Sequence, residues 1–548
     1  MKLLLILFAS QVSLLPAAET IRMPSEARVW LKVPAGQAPL RDVRVSGGVA
    51  ALASWEKDPA VRERHTDILF PVRWWSWSEL SVSFTPVQDG NVELSLLGPW
   101  AADENGGMPR QEVLWDGAYA VGTEIENSDL DGAEVGAPAG WKSPWGDYPA
   151  PDAWPLAQAG KGIAAAWCNR PLVQVLKVKG SKTVTLRLLA KAATPLDFVE
   201  PKALGNDTPA HRALARIKRG VNLGNGWEST PSQSWGVRFT SEDIDRIAAE
   251  GFDHIRVPVA WHFYLKPGGG GIEIDSALLA ELEPVLRRAL EKKLHVVLDW
   301  HHFNDFTKSP TENLGRFISG WETIARHFES WPPGLWFELL NEPCGALSTE
   351  AANPIYQKAI AAIRKSNPER MLVVGPGHWN SVGELDKLRL PDADDRIVVT
   401  VHNYEPFQFT HQGAGWVGLQ KLRGIIYPGP PATAFQVPDS LRENSGVLSF
   451  IERYNTLPAA SNPCSKQTIR AALDMACEWS QRFGRPVHLG EFGAHDAGDA
   501  ASRGRYLHDV KTLAEERHIP WTMWEWKAGF GYWDSEMKQP RFRNSLFE

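Results

Sequence analysis

From about residue 209 to residue 548 the chain repeats one pattern, a short β-branched or apolar run followed by a longer amphipathic segment. The runs are Lys218–Leu223, His254–Val259, His295–Trp300, Leu335–Leu340, Leu372–Gly375, Ile397–Val401, Val487–Leu489 and Ile519–Trp524. Alternation of this kind is the mark of βα units sharing a parallel sheet. Eight of them predict an α/β chain closed into a (β/α)₈ TIM barrel with insertions. The intervening helices are readable as well. Thr240 precedes Asp243-Ile244-Asp245-Arg246-Ile247 and can cap a first helix, with Asp243 acidic in its opening turn. From Ser276 to Lys293, Leu278, Leu279, Leu282, Val285, Leu286 and Leu290 recur at spacings of three and four, a stripe that should face the strands. Residues 427–463 are long and rich in Pro, Ser and Asn, a lid, a binding wall or a mobile insertion.

A chain of 548 residues is too long for one core, and its first part is of another kind. Residues 19–205 carry alternating runs such as Glu93–Leu97 and Thr183–Leu189, broken by Gly, Pro, Asp and Asn, with no long helical period. They predict a β-sandwich of jelly-roll type, separated from a barrel over 209–548 by the polar stretch Pro201 to Pro209. Ahead of it, Met1-Lys2, the apolar Leu3–Phe8 and the small residues ending at Ala18 read as a signal peptide over residues 1–18, so the expected location is secreted or periplasmic. Neither that run nor any later one is long enough for comfortable membrane insertion.

Net charge is −7, with no basic stripe, so a nucleic-acid partner is not expected. Cys168, Cys344, Cys464 and Cys477 show no metal spacing and are expected as free buried thiols. There are 25 Trp against 9 Tyr. Indole faces suit the C–H faces of sugar rings, but Trp is also core material. For Trp74-Trp75-Ser76-Trp77 and for Trp141 with Trp145 the core reading stands ahead. If the first run continues a strand, Trp75 and Trp77 share a face.

In a (β/α)₈ barrel reactive groups come from the C-terminal ends of the strands. Here those ends deliver Arg256, His301 and His302, Asn341 and Glu342, His402 and Tyr404, Glu491, and Trp524. Two carboxylates on strands four and seven can converge across the mouth, and glycoside hydrolysis needs two, one to protonate the leaving oxygen and one to attack the anomeric carbon or to activate water. A solitary rim Glu is ordinarily just a solvated carboxylate. Asn341-Glu342-Pro343 weighs against that for Glu342, because an apolar strand delivers Asn and Glu together and stops at Pro. Arg256 and Tyr404 are the candidates to hold the anionic member.

With these motifs in place, the chain resembles glycoside hydrolase family five, bacterial endo-β-1,4-glucanases above all, over roughly residues 215 to 545. The resemblance rests on Arg219–Asn225, Ile255–Val259, Asp299–His302, Phe337–Pro343, His402–Phe407 with Phe409–Ala414, Leu489–Gly493 and Trp524–Gly531, in that order. It implies a retaining double displacement without metal or cofactor. Glu342 would be the acid/base and Glu491 the nucleophile, with Arg256 and Tyr404 hydrogen-bonded to Glu491. Asn341 would bind the hydroxyl at carbon two, and His301 and His402 would orient sugar hydroxyls and the acid/base. Trp524 would be the floor under the reacting ring, in a cis peptide with Glu525. The expected partner is a polysaccharide or oligosaccharide, and the expected state a monomer. A β-mannanase, an exo-acting or a mixed-linkage β-glucanase would use the same scaffold, the exo mode being favoured if 427–463 closes one end of the cleft. A non-catalytic carbohydrate-binding surface protein is the alternative of another class.

Overall fold

The computed structural model describes residues 26–34, 38, 40–46, 49–55, 63–99, 111–130, 137–143, 164–166, 171–194, 200–230, 232–269, 271–459 and 462–548. The signal segment, Trp145 and Cys168 lie outside them. The chain divides into two compact units, residues 1–198 and 199–548.

The first unit is built from two five-stranded antiparallel sheets. One runs Val49–Trp55, Glu63–Pro71, Glu26–Lys32, Gly90–Leu97, Leu172–Val178, and the other Arg41–Ser46, Ser78–Thr85, Val184–Ala192, Val113–Val121, Ala164–Ala166. Period-two alternation buries one face: Ala27, Val29 and Leu31 are fully buried on one strand and Val184, Leu186 and Leu188 on another. Trp74–Trp77 is a bend between two strands, not a strand, so the expected shared face of Trp75 and Trp77 does not form. Trp74 and Trp141 are buried, as core residues should be, while Trp77 is exposed.

In the second unit eight parallel strands close in sequence order. They are β1 (Arg219–Asn222), β2 (His254–Val259), β3 (His295–Trp300), β4 (Leu335–Glu338), β5 (Leu372–Val374), β6 (Ile397–His402), β7 (Val487–Phe492) and β8 (Trp521–Met523). The outer helices include α1 (Ser241–Glu250), α2 (Ser276–Glu291), α3 (Pro310–His327), α4 (Thr349–Arg364), α5 (Lys466–Phe483) and α6 (Ala500–Glu516). At the start of α1, Asp243 accepts a 2.9 Å hydrogen bond from the Thr240 N–H. On α2 the buried stripe is Leu278, Leu282, Val285, Leu286 and Ala289, with Leu279 and Leu290 half-buried at its margins. A short helix, Pro209–Leu214, closes the N-terminal end of the barrel by packing Ala210 and Leu214 with Val297, Trp336, Val373 and Val398. No helix among the described residues is long and apolar enough to cross a membrane.

Residues 427–463 contain a helix, Ser445–Thr456, capped by Asn444, whose side chain accepts from the Val447 N–H. The segment is tied to α6, where the Tyr427 N–H donates to Ser502 Oγ at 3.0 Å and the Tyr427 hydroxyl to Asp509 at 2.9 Å. It is an outer buttress of the barrel.

Above the apolar plug the lumen is polar. His254 bonds Asp253 through Nδ1 (2.7 Å) and Thr522 Oγ1 through Nε2 (2.8 Å), and His488 Nε2 reaches the same hydroxyl at 2.8 Å. This cross-strand packing leaves no room at Gly220, where a Cβ would sit 2.1 Å from His254 Nε2. Gly220→Ala is therefore expected to destabilise the barrel by about 1–3 kcal/mol, the usual cost of overpacking. Gly315→Ala, in α3 with open space around it, should be neutral or stabilising by up to about 1 kcal/mol. Denaturant unfolding of both variants checks the contrast.

Candidate active site

Strand direction brings the sequence-selected side chains to one place. β2 points Arg256 into the lumen, where it is fully buried. Its Nε and Nη2 donate to the two oxygens of Glu338 (2.7 and 2.8 Å), Nη2 also donates to Asn341 Oδ1 (2.7 Å), and Nη1 donates to Asn222 Oδ1 (3.0 Å) and Glu491 Oε1 (2.8 Å). Asp299 stands 3.0 Å from Nη2. Burial alone would discharge the guanidinium, but Asp299, Glu338 and Glu491 hold its proton more firmly than in water.

Glu491 ends β7 beside a register shift against β6 and takes a second bond, 2.8 Å from the Tyr404 hydroxyl. Burial and the neighbouring Glu491 keep that phenol protonated, so its hydrogen is available to the carboxylate. Glu342 lies just past β4 with a left-handed backbone, φ 47°, and Oε1 lies 2.8 Å from His402 Nδ1. One oxygen or nitrogen from each of Glu342, His402 and Glu491 falls within 4.8 Å of the others. Glu342 Oε1 is already engaged by His402, and the two Glu491 oxygens accept from Arg256 and Tyr404, an arrangement for moving a proton rather than for ligating a metal.

Burial pushes the Glu342 carboxyl up to about 7, against the pull of Arg256. Burial likewise pushes Glu491 up to about 7, with His402 and Arg256 opposing and Glu342 reinforcing the rise. The two differ in their donors. Glu491 has a guanidinium and a phenol, while Glu342 has only His402, itself pushed down to about 4 by burial and therefore neutral near pH 7. The proton that the pair keeps longest belongs on Glu342.

The other expected residues are here as well. Asn341 is held between Arg256 and His301, whose Nε2 is 3.4 Å from Asn341 Nδ2. His301 is fixed by Asp299 at 2.6 Å and stacks parallel to Trp524, ring centroids 5.6 Å apart. It does not touch Glu342; that place is taken by His402. His302 lies exposed in the cleft and Trp524 half-buried, and the Trp524–Glu525 peptide is cis. Unforeseen were Asn222, Asp299 and Glu338 around Arg256, Asn380 behind His402 (Nδ2 to Nε2, 3.2 Å), and the buried carboxyls Glu228 and Glu525. Glu525 accepts from Asn225 Nδ2 and the Phe530 N–H, and burial pushes it up to about 7.

All of this opens into a cleft of about 1330 Å³ at the C-terminal mouth of the barrel. Trp235, Trp379 and Trp416 line it from the loops after β1, β5 and β6, each half or more exposed. No described residue of 427–463 lines it. Cys344 and Cys477 are half-buried and Cys464 is buried.

A barrel that carries facing glutamates at the ends of its fourth and seventh strands, in an open aromatic cleft, has the build of a glycoside hydrolase. The sequence carries the rest of the identification: residues 218–529 match the model of Cellulase (glycosyl hydrolase family 5), and the chain belongs to that family. It is 27% identical to Endoglucanase H of Acetivibrio thermocellus over 324 residues, 59% of this chain but only 31% of that longer protein. It is 31% identical to Endoglucanase C of the same organism over 330 residues, 57% of this chain and 92% of that one. Among solved structures, Thermotoga maritima Cel5A in complex with mannotriose is similar at 29% identity and TM-score 0.52, over 61% of this chain and 99% of that chain.

The like charges across the site make a measurable prediction. With Glu491 ionised first, its charge opposes ionisation of Glu342, so Glu491→Gln should move Glu342 below about 7. Carboxyl carbon NMR of the labelled variant reads that shift, and an unchanged or higher value contradicts the coupling.

Proposed function

We propose that the chain is a retaining endohydrolase of β-1,4-glucan, exported by its N-terminal leader and acting on polymer outside the cytoplasm. The observation that carries the reading is the approach of Glu342 and Glu491 to within 4.8 Å at their nearest oxygens. A retaining pair works at about 5–5.5 Å between carboxyl groups, whereas an inverting pair stands roughly 6.5–9.5 Å apart to admit a water.

The chemistry follows from the donors. Protonated Glu342 gives its proton to the glycosidic oxygen as that bond to the anomeric carbon breaks. Glu491, kept anionic by Arg256 and Tyr404, forms the new bond to the same carbon from the opposite face. Glu342, now a carboxylate, takes a proton from water as water displaces Glu491, which regenerates both groups and restores the original anomeric configuration. Asn341, presented by Arg256, meets the hydroxyl at carbon two, and Trp524 with the parallel His301 supports the ring. This chain needs no cofactor for these steps.

Internal cleavage is supported by the placing of Trp235, Trp379 and Trp416 on three separate loops, since each offers a stacking face beyond the reacting ring. The exo mode loses its support, since it was tied to 427–463 closing the cleft and that segment packs elsewhere. A second reading, hydrolysis of β-mannan, draws on the similar Cel5A having been solved with mannotriose as well as cellobiose. The monomeric state is part of the proposal.

Proton NMR of the first sugar released from cellulose oligosaccharides, mixed-linkage glucan and mannan should show the β-anomer, most rapidly from β-1,4-glucan; an α-anomer overturns the retaining assignment. Glu491→Gly with azide should yield an α-glycosyl azide, and Glu342→Ala the β-azide from an activated aryl glycoside. Reversal of the two configurations would exchange the roles. Equal, negligible hydrolysis by wild type and Glu491→Ala would instead support a binding protein.

A further inference from the structure

Asn380 belongs to no motif that marked the site, yet it is fully buried at the centre of it. It ends the turn Gly377–Asn380 after β5, where His378, Trp379 and Asn380 have φ of 53°, 58° and 55°. Three successive left-handed side-chain-bearing residues are costly, roughly 1–2 kcal/mol each, and persist only where surrounding contacts impose them. Those contacts are specific. The Trp379 N–H donates to the carbonyl of Pro343, next to Glu342, at 3.1 Å, and Ser381 pairs with His402 as a parallel bridge. Gly375 makes the space, since a Cβ there would sit 2.4 Å from Asn380 Oδ1. The turn thus sends Trp379 into the cleft and Asn380 beneath it, with Nδ2 3.2 Å from His402 Nε2.

We infer that Asn380 is a positioning residue that fixes the tautomer of His402 and thereby the oxygen of Glu342 from which the glycosidic bond is protonated. The inference rests on the acid/base role proposed above for Glu342. An amide N–H donates, so it requires the lone pair of His402 on Nε2. A neutral imidazole with its lone pair on Nε2 carries its hydrogen on Nδ1, and Nδ1 faces Glu342 Oε1 at 2.8 Å. His402 is neutral because burial outweighs the carboxylates that face it, Glu491 with Oε2 3.7 Å from Nδ1 and Glu338 deeper in the lumen, while Arg256 adds to the discharge. Glu342 Oε1 is then an acceptor, its transferable proton sits on Oε2, and the Nδ1–H remains in place to stabilise the carboxylate once that proton has left. Turning the imidazole tautomer over would reverse each of these: Nδ1 would accept, Oε1 would hold the proton, and the proton would point away from the substrate.

The test has a structural arm and a kinetic arm. With ¹⁵N-histidine labelling of the whole protein, and His402→Gln to assign the signal, wild-type His402 should show a protonated Nδ1 and an unprotonated Nε2 at neutral pH. Asn380→Asp, which keeps the size but presents only acceptors, should show the opposite tautomer. A wild-type Nε2–H overturns the inference without any reference to activity. In the kinetic arm, Asn380→Asp and Asn380→Ala should lose about ten- to a hundredfold in kcat/KM on cellobiosides with poor leaving groups, part of the contribution a general acid makes. They should lose less than threefold on a dinitrophenyl cellobioside, whose leaving group departs unprotonated. Equal losses on both substrates would mean that Asn380 only supports the fold, and would overturn the positioning role. Failure of the proposed function is distinguishable, because wild type would then turn over neither substrate while the tautomer could still be read.

Discussion

One guanidinium organises this barrel. Arg256 stands fully buried among Asp299, Glu338 and Glu491, with the side-chain oxygens of Asn222 and Asn341 completing its acceptors. A single positive charge cannot compensate three buried carboxylates, so the cluster as a whole retains protons that would be lost in water. Asp299, facing the same cation, is pushed up to about 7 by burial, and Glu338 is raised as well. The outcome is a site with a negative surplus that one more proton relieves. Removing Arg256 leaves all three carboxylates uncompensated, which is far more damaging than the absence of the whole set.

Which carboxyl takes that proton is decided by geometry. Burial raises Glu342 and Glu491 alike to about 7 and alone assigns no roles. The distinction comes from the donors: Glu491 has the guanidinium and a phenol that cannot ionise, whereas Glu342 has a neutral imidazole. A fixed charge on one side and a fixed dipole on the other give the two carboxyls different surroundings within a span shorter than 5 Å, before any sugar arrives.

The eight strands were legible because a parallel strand in a barrel is covered on both faces, and continuous β-branched runs such as His295–Trp300 and His254–Val259 have few other uses. Strand ends were less so. The run Leu335–Leu340 stops as a strand at Glu338, and Ile519–Trp524 contracts to Trp521–Met523, because the chain leaves the ladder to aim Asn341, Glu342 and Trp524 at the mouth. Catalytic candidates declared themselves by lying at those ends. Their supports did not: Glu338 reads as a lapse in an apolar strand until one asks which buried cation answers it, and that question leads to Arg256. Asn380 carried no signal, since three left-handed residues in His378-Trp379-Asn380 contradict the local preferences of those side chains. The helix Ser445–Thr456 was visible in principle from Val447, Phe450, Ile451 and Tyr454, spaced three and four apart, but the Pro, Ser and Asn around it favoured a loop. The bend at Trp74–Trp77 gave no signal for the opposite reason, because aromatic residues favour strands and only the consequence of a strand was considered there.

Backbone strain has a pattern of its own. Asn225, His302, Glu342 and the His378–Asn380 turn all lie in left-handed conformations, and all follow the C-terminal ends of barrel strands, β1, β3, β4 and β5. At the opposite end Lys293 and His518 are left-handed in the turns before β3 and β8 but carry no site residue, and that end is closed by Val297, Trp336, Val373 and Val398 packed with Ala210 and Leu214. The division has a physical reason. Side chains that leave a parallel sheet at its mouth diverge, and making them converge on one sugar ring requires the backbone to turn back sharply within one or two residues. Glycine would make such turns cheaply but brings no carboxylate, imidazole or amide. The apolar plug and the paired lumen histidines carry stability away from the mouth, so strain can accumulate where function demands particular side chains.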